Sequence, residues 1–231
     1  MAINNFLPTP DNGFTSAGEY TTTSSNNYMG PGFASLKITS KQPTMKDRTN
    51  AGLLIRRSKA YQKWEIAISY NSLSKEEFLA VHSFIMERQQ TLEPFFVNLP
   101  QFTGASVVVQ ADAAAGNRQL LLANNSGIEV GDMFYVQDPN KVTHQKAYQV
   151  VRVERQNDTS SSTTNTAGAP GASQCRITFS PGLQKEVESG ASTLANFNGR
   201  VKVIASSDDI QYTLDKNGLY KFSLKLEEAC Y

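Results

Sequence analysis

From Ala34 onward, apolar and polar positions alternate along the chain. ASLKITSK (34–41) sets Leu36 and Ile38 two apart, and KWEIAISY (63–70) does the same with Trp64, Ile66, Ile68 and Tyr70. Period two is the mark of a strand with one buried face. The period then changes. In NSLSKEEFLAVHSFIMERQQ (71–90), Ser74 and Glu77 have the spacing of a capping box, in which hydroxyl and carboxylate satisfy free backbone donors. Phe78, Val81 and Ile85, helped by Phe84, follow at helical spacing, which predicts one amphipathic helix of about four turns. Pro94 closes this region, because proline cannot continue a helical ladder. LEPFFVNLP (92–100) is then too short for a second helix and reads as a strand returning to the sheet.

Residues 104–199 have another style. ASVVVQA, RQLLLAN, DMFYVQD, AYQVVRVER and QCRITFS are short apolar runs separated by turn signals such as Gly116-Asn117 and Gly131-Asp132. QNDTSSSTTNTAGAPGAS (156–173) lies between the last two and reads as an exposed, mobile hairpin tip. The first style resumes with RVKVIA, then YTLDKNGLYKFSLKLEE, two strands joined around Lys216-Asn217-Gly218. Tyr220, Phe222, Leu224 and Leu226 alternate without a break, so Phe222, like Trp64, is assigned to an inward face. The predicted fold is mainly β: a split β-barrel with one helix over 33–103, closed by strands in 200–231. An inserted small β domain spans 104–199, and an extended arm covers 1–32. The arm is rich in Ser, Thr and Asn yet carries Phe6, Phe14, Tyr20 and Tyr28. It is expected to be mobile in a free subunit and to order across a neighbour on assembly.

Composition excludes more than it assigns. The 231 residues suffice for a real core, and a net charge of +1 gives no global pull toward nucleic acid or anionic membrane. No apolar run approaches the roughly 20 residues of a membrane helix, and MAINNFLPTPDNG has no signal-peptide character. Cys175 and Cys230 are far apart and suggest neither a metal nor a disulfide framework. His82 falls in the helix and His144 in a turn, neither with metal-ligand spacing. Asp208-Asp209 and Glu227-Glu228 are adjacent pairs, which strand alternation points to opposite faces, unsuited to acid–base work on one bond. Asn124-Asn-Ser and Asn157-Asp-Thr match glycosylation sequons by chance. No catalytic, cofactor or metal site is therefore expected.

One local bias stands out. Lys37, Lys41, Lys46, Arg48, Arg56, Arg57, Lys59 and Lys63 face Asp47 alone between Phe33 and Lys63. Such a stretch is either a nucleic-acid surface or a solvated segment or subunit contact that meets acidic groups such as Asp208, Asp209 and Asp215. Sparse aromatic interleaving favours the second.

The order of elements is itself informative. PTMKDRTNAGLLIRRSKAYQKWEIAISY, then FLAVHSFIMERQ, EPFFVNLP and the closing GLYKFSLKLEEA resemble the tail-tip minor tail proteins of tailed bacteriophages of the lambda M type. They also resemble the amino-terminal barrel of distal tail proteins. GIEVGDMFYVQD, HQKAYQVVRVER and CRITFSPGLQKEV look like the β insert of related tail proteins. The resemblance implies a structural, non-enzymatic virion protein at the distal end of the tail, made in the host cytoplasm. It implies a homo-oligomeric ring, a hexamer in that family, which joins the tail tube to tail-tip or baseplate-hub proteins without cofactors, membrane or specific nucleic acid. It also implies that of Phe95 and Phe96, one fills the barrel while the other is covered by the helix or a neighbouring subunit. A carbohydrate- or receptor-binding β module is the alternative, with 104–199 as the ligand domain; its aromatics include Phe134, Tyr135 and Tyr148, of which Phe134 and Tyr135 fit equally as core and cap of one strand. A small hydrolase is a third and weaker reading.

Overall fold

The structure, a computed structural model, describes residues 5–11, 13–15, 20–21, 27–58, 61–123, 127–141, 144–155, 170–171 and 173–229. The chain divides into two compact units, Met1–Val97 with Lys202–Ala229, and Asn98–Val201. The architecture is mainly β with a strongly curled half-barrel sheet, as expected of a split barrel, and the helix is the only one among the described residues.

In the first unit the sheet runs Phe33–Lys41, Lys63–Tyr70, Tyr220–Glu228, Arg200–Ala205, Phe95–Asn98 in that spatial order. Its register sets apolar residues opposite one another: Leu36 and Leu224 flank Ile68, and Ile38 and Leu226 flank Ile66. Lys63–Tyr70 and Tyr220–Glu228 therefore keep one face in the core, where Trp64 and Phe222 are buried as assigned, while Leu36 and Ile38 of the outer strand are half-buried. Tyr212–Leu214 adds a short antiparallel strand to Tyr220–Glu228. The intervening turn bonds Gly218 N–H to the Asp215 carbonyl at 2.9 Å, and Gly218 takes φ 75° while Asn217 stays at negative φ. Glycine alone supplies the left-handed residue.

The helix spans Lys75–Glu87 and starts on the predicted capping box. Ser74 N–H donates to Glu77 Oε2 at 2.9 Å, and Glu77 N–H donates to Ser74 Oγ at 3.3 Å. Phe78, Ala80, Val81, Phe84 and Ile85 form its buried face. It stops well before Pro94, because Gln89 and Gln90 adopt left-handed backbone with φ 49° and 56°. Gln90 N–H then bonds the Ile85 carbonyl at 3.2 Å, which satisfies an acceptor that the helix end leaves open.

Phe95, Phe96 and Val97 are all buried within one chain. Phe95 meets Phe84 of the helix edge-on, with ring centroids 5.2 Å apart. Phe96 lies 5.5 Å from Phe6, and the backbone there forms a parallel bridge. Leu7 N–H donates to the Phe96 carbonyl at 2.9 Å, and Phe96 N–H donates to the Asn5 carbonyl at 2.7 Å. The amino-terminal segment thus covers a sheet edge of its own unit, with Leu7 almost fully buried. This differs from the expected free arm for two reasons: an open edge carries unmet backbone donors, and Phe96 needs a cover. Gly30 fits against the same segment, its N–H bonding the Thr9 carbonyl at 3.0 Å, and a Cβ there would sit 2.1 Å from the Pro8 carbonyl carbon. Gly13–Thr15, Tyr20–Thr21 and Asn27–Met29 make a small antiparallel sheet, and the helix contacts its Asn27–Met29 strand.

The basic stretch holds a feature absent from the sequence reading. Thr44–Arg48 and Leu54–Ser58 pair as an antiparallel ribbon. Neither strand shows an apolar face by alternation: TMKDR has a single apolar residue, and LIRRS sets one apolar and one cationic residue on each face.

The second unit is a six-stranded antiparallel sheet. Its order is Gln119–Leu122, Cys175–Ser180, Ala147–Arg155, Met133–Gln137, Leu194–Asn196, Ser106–Val108. A bridge between Val109 and Leu122 joins the two outer strands, with Gln110 N–H bonding the Leu121 carbonyl at 2.9 Å, so the sheet closes on itself. Leu120, Leu122, Phe134, Tyr148, Ile177 and Phe179 fill the core. Where the chain enters and leaves this unit, Leu99 N–H bonds the Gly199 carbonyl at 3.1 Å. The polar tip expected over 156–173 falls almost wholly outside the described residues.

Candidate interaction surface

The titratable residues singled out by sequence do not converge. His82 sits on the helix with its ring 5.1 Å from Phe78. His144 is buried in the second unit, hydrogen-bonded to Tyr148 Oη at 2.7 Å, and Tyr148 Oη also accepts the Gln184 N–H at 2.9 Å. Burial, with the Lys185 charge second, pushes the His144 imidazole down to about 4. Its Nδ1 has no partner among the described residues. Glu227 and Glu228 diverge as strand geometry requires: Glu227 takes the Lys63 ammonium at 2.5 Å, while buried Glu228 accepts the Trp64 N–H at 3.1 Å. The bond to Glu227 raises the Lys63 pKa. Asp208 accepts the Thr91 hydroxyl at 2.8 Å, which ties its loop to the segment following the helix. Cys175 is buried, which raises its thiol pKa, and Cys230 lies outside the described residues, as do the first asparagine of each sequon.

Of the aromatic residues named for the alternative ligand site, Phe134 and Tyr148 belong to the core of the second unit, while Tyr135 lies on the other face of its strand under the Arg200 guanidinium, 5.4 Å from the ring centre. Phe134 packs on Tyr148, Phe179 and Phe197 with centroids 5.5, 5.3 and 5.2 Å away. Tyr135 is 9% exposed and Tyr148 is fully buried. Phe134 and Tyr148 are partners across two neighbouring strands, and short aromatic-rich strands read the same whether they line a core or a cleft. An open cleft of about 380 Å³ in this unit lies elsewhere, bounded by residues such as Phe102, Glu129, Asp132 and Phe197.

The first unit has the more unusual surface. Part of its basic stretch is neutralised at home: Lys41 pairs with Glu65 at 2.6 Å, and Lys63 pairs with Glu227. The ribbon is not. Met45, Leu53, Leu54 and Ile55 are 60, 67, 46 and 52% exposed, and Lys46, Arg48, Arg56 and Arg57 are exposed beside them. Register sets Lys46 directly opposite Arg56, and Met45 opposite Arg57. Like charges facing across a ladder oppose pairing, and an isolated two-stranded ribbon is at best marginally stable in water. This ribbon buries almost nothing against its own chain.

The helix offers a second exposed face. Leu79 and Met86 are 43 and 50% exposed, with Glu76 and Glu87 on the same side of the helix. Leu92, 66% exposed, follows, and the Asp208–Thr91 bond holds Asp208 and Asp209 close to this end. Exposed Lys75 lies on the same side at the amino end of the helix, so the face is apolar with a net acidic balance, the converse of the ribbon.

Residues 20–102, which contain the edge strand, the ribbon and the helix, match the family described as the distal tail protein pb9 A domain, N-terminal part. The chain is a relative of phage distal tail proteins. It is 27% identical to distal tail protein pb9 of Escherichia phage T5 over 215 residues, which covers 87% of this chain and 94% of that protein. Of the two resemblances seen in the sequence, the distal-tail one is thus supported along nearly the whole length. With it come a structural role in a phage tail and a place in the virion. No described helix is long and apolar enough to cross a membrane.

Proposed function

We propose that the chain is the subunit of a closed ring at the distal end of the tail. There it joins the tail tube to tail-tip or baseplate components. The observation that carries this reading is the Thr44–Ser58 ribbon, an ordered element whose apolar and cationic side chains have no bed in their own subunit. Exposed apolar surface of this kind marks an interface. A repeated contact between unlike surfaces of identical subunits either closes into a ring or grows into a filament. At the end of a tube a ring is the form that fits. Phe33–Lys41 is the outer strand of its sheet and offers a further edge for pairing. The Asn98–Val201 unit is then available for contacts with other distal proteins.

Sedimentation of the purified full-length chain, with electron microscopy of the same sample, tests the proposal. Closed annular particles of a single size are expected at micromolar concentration. A monomer that persists at every concentration would overturn it.

A further inference from the structure

Resting on the ring reading, we infer that the Thr44–Ser58 ribbon of one subunit docks on the exposed helix face of the next, between Leu79–Met86 and the Asp208–Asp209 loop. Three observations converge on that occupant. First, the two surfaces are complementary in charge: Lys46, Arg48, Arg56 and Arg57 on the ribbon against Glu76, Glu87, Asp208 and Asp209 beside the helix. Second, both are apolar at the centre, which lets the contact exclude water and strengthen those ion pairs. Third, Lys46 faces Arg56 across the ribbon, a repulsion that an acidic neighbour relieves and that solvent only screens. Ribbon and helix face are distinct parts of one unit, so the contact is head-to-tail, the kind that propagates around a ring.

Part of the face is already committed within its own chain, since Asp208 accepts the Thr91 hydroxyl. Glu87 and Asp209 carry no side-chain bond among the described residues, so they are the carboxylates free to meet an incoming cation. The ribbon arginines Arg56 and Arg57 are exposed and are equally uncommitted.

A charge exchange tests the inference without touching either core. R56E/R57E and, separately, E87K/D209K are each expected to raise the concentration at which rings form by about tenfold or more. Circular dichroism and melting should stay close to those of the parent chain. The quadruple variant, with the charges exchanged across the contact, should restore rings. Rings that form normally in both double variants overturn the docking site, whether the ribbon then meets another tail protein or nothing. Double variants that dissociate without rescue in the quadruple variant also overturn the pairing. If the unmodified chain forms no ring at all, it is the ring reading that fails.

Discussion

Two aromatic side chains and one histidine carry the predictions that belong to single residues. Trp64 and Phe222 were assigned inward from alternation alone, and both are buried in the first unit. Trp64→Ala and Phe222→Ala should each cost about 3–5 kcal/mol, read as a lower melting temperature or denaturant midpoint. His144 makes the second unit acid-sensitive. Its folded pKa is depressed to about 4, below the 6.5 of an exposed imidazole, so the unfolded chain takes up the proton first. The stability from keeping it neutral is full above pH 6.5. It drains as pH falls toward 4, by up to about 3 kcal/mol for a shift of this size. His144→Gln should be less stable at pH 7, through loss of the Tyr148 bond, but should flatten the stability curve between pH 6.5 and 4. An unchanged slope in that window would show that other groups cause the acid sensitivity.

Elements were legible where local rules and tertiary need agree. Lys63–Tyr70, Ala147–Arg155 and Arg200–Ala205 occupy the positions their sequence runs mark out, and the capping box at Ser74 fixes the start of the helix. The ends and the odd elements were harder to read. The helix stops on two left-handed glutamines, which no propensity announces. Leu194–Asn196 is too short to show a period. The ribbon does not alternate because it has no buried face in its own chain to enforce alternation, and for the same reason it shows in the sequence only as a charge bias. Composition made the amino-terminal segment look free. In fact one parallel bridge and the Phe6–Phe96 contact fasten it to the sheet edge. Deleting residues 2–11 should therefore lower the melting temperature, since it uncovers Phe96 and an edge. Gly30→Ala should reproduce part of that loss by forcing Pro8 away. A melting curve unmoved by either change would mean the segment contributes nothing to the subunit's fold.

At the scale of the whole chain, the two units are joined where Phe95–Asn98 leaves the first sheet and Arg200–Ala205 returns to it. Leu99 and Gly199 are hydrogen-bonded beside that junction. Because both crossings lie on strands of one sheet, a short linker in place of residues 98–201 should leave the first unit folded. Far-ultraviolet circular dichroism and resistance to proteolysis would check it; an unfolded product would mean the two units fold only together. On the present account that shortened chain also keeps every surface the ring needs. The most direct measurement is a cryo-electron-microscopy map of the assembled tail tip. The account predicts a cyclic ring of this chain, with each Thr44–Ser58 ribbon against the helix of the adjacent subunit and the Asn98–Val201 units carrying contacts to other tail proteins. A single copy, or a ring held together through the Asn98–Val201 units with the ribbons exposed, would contradict it.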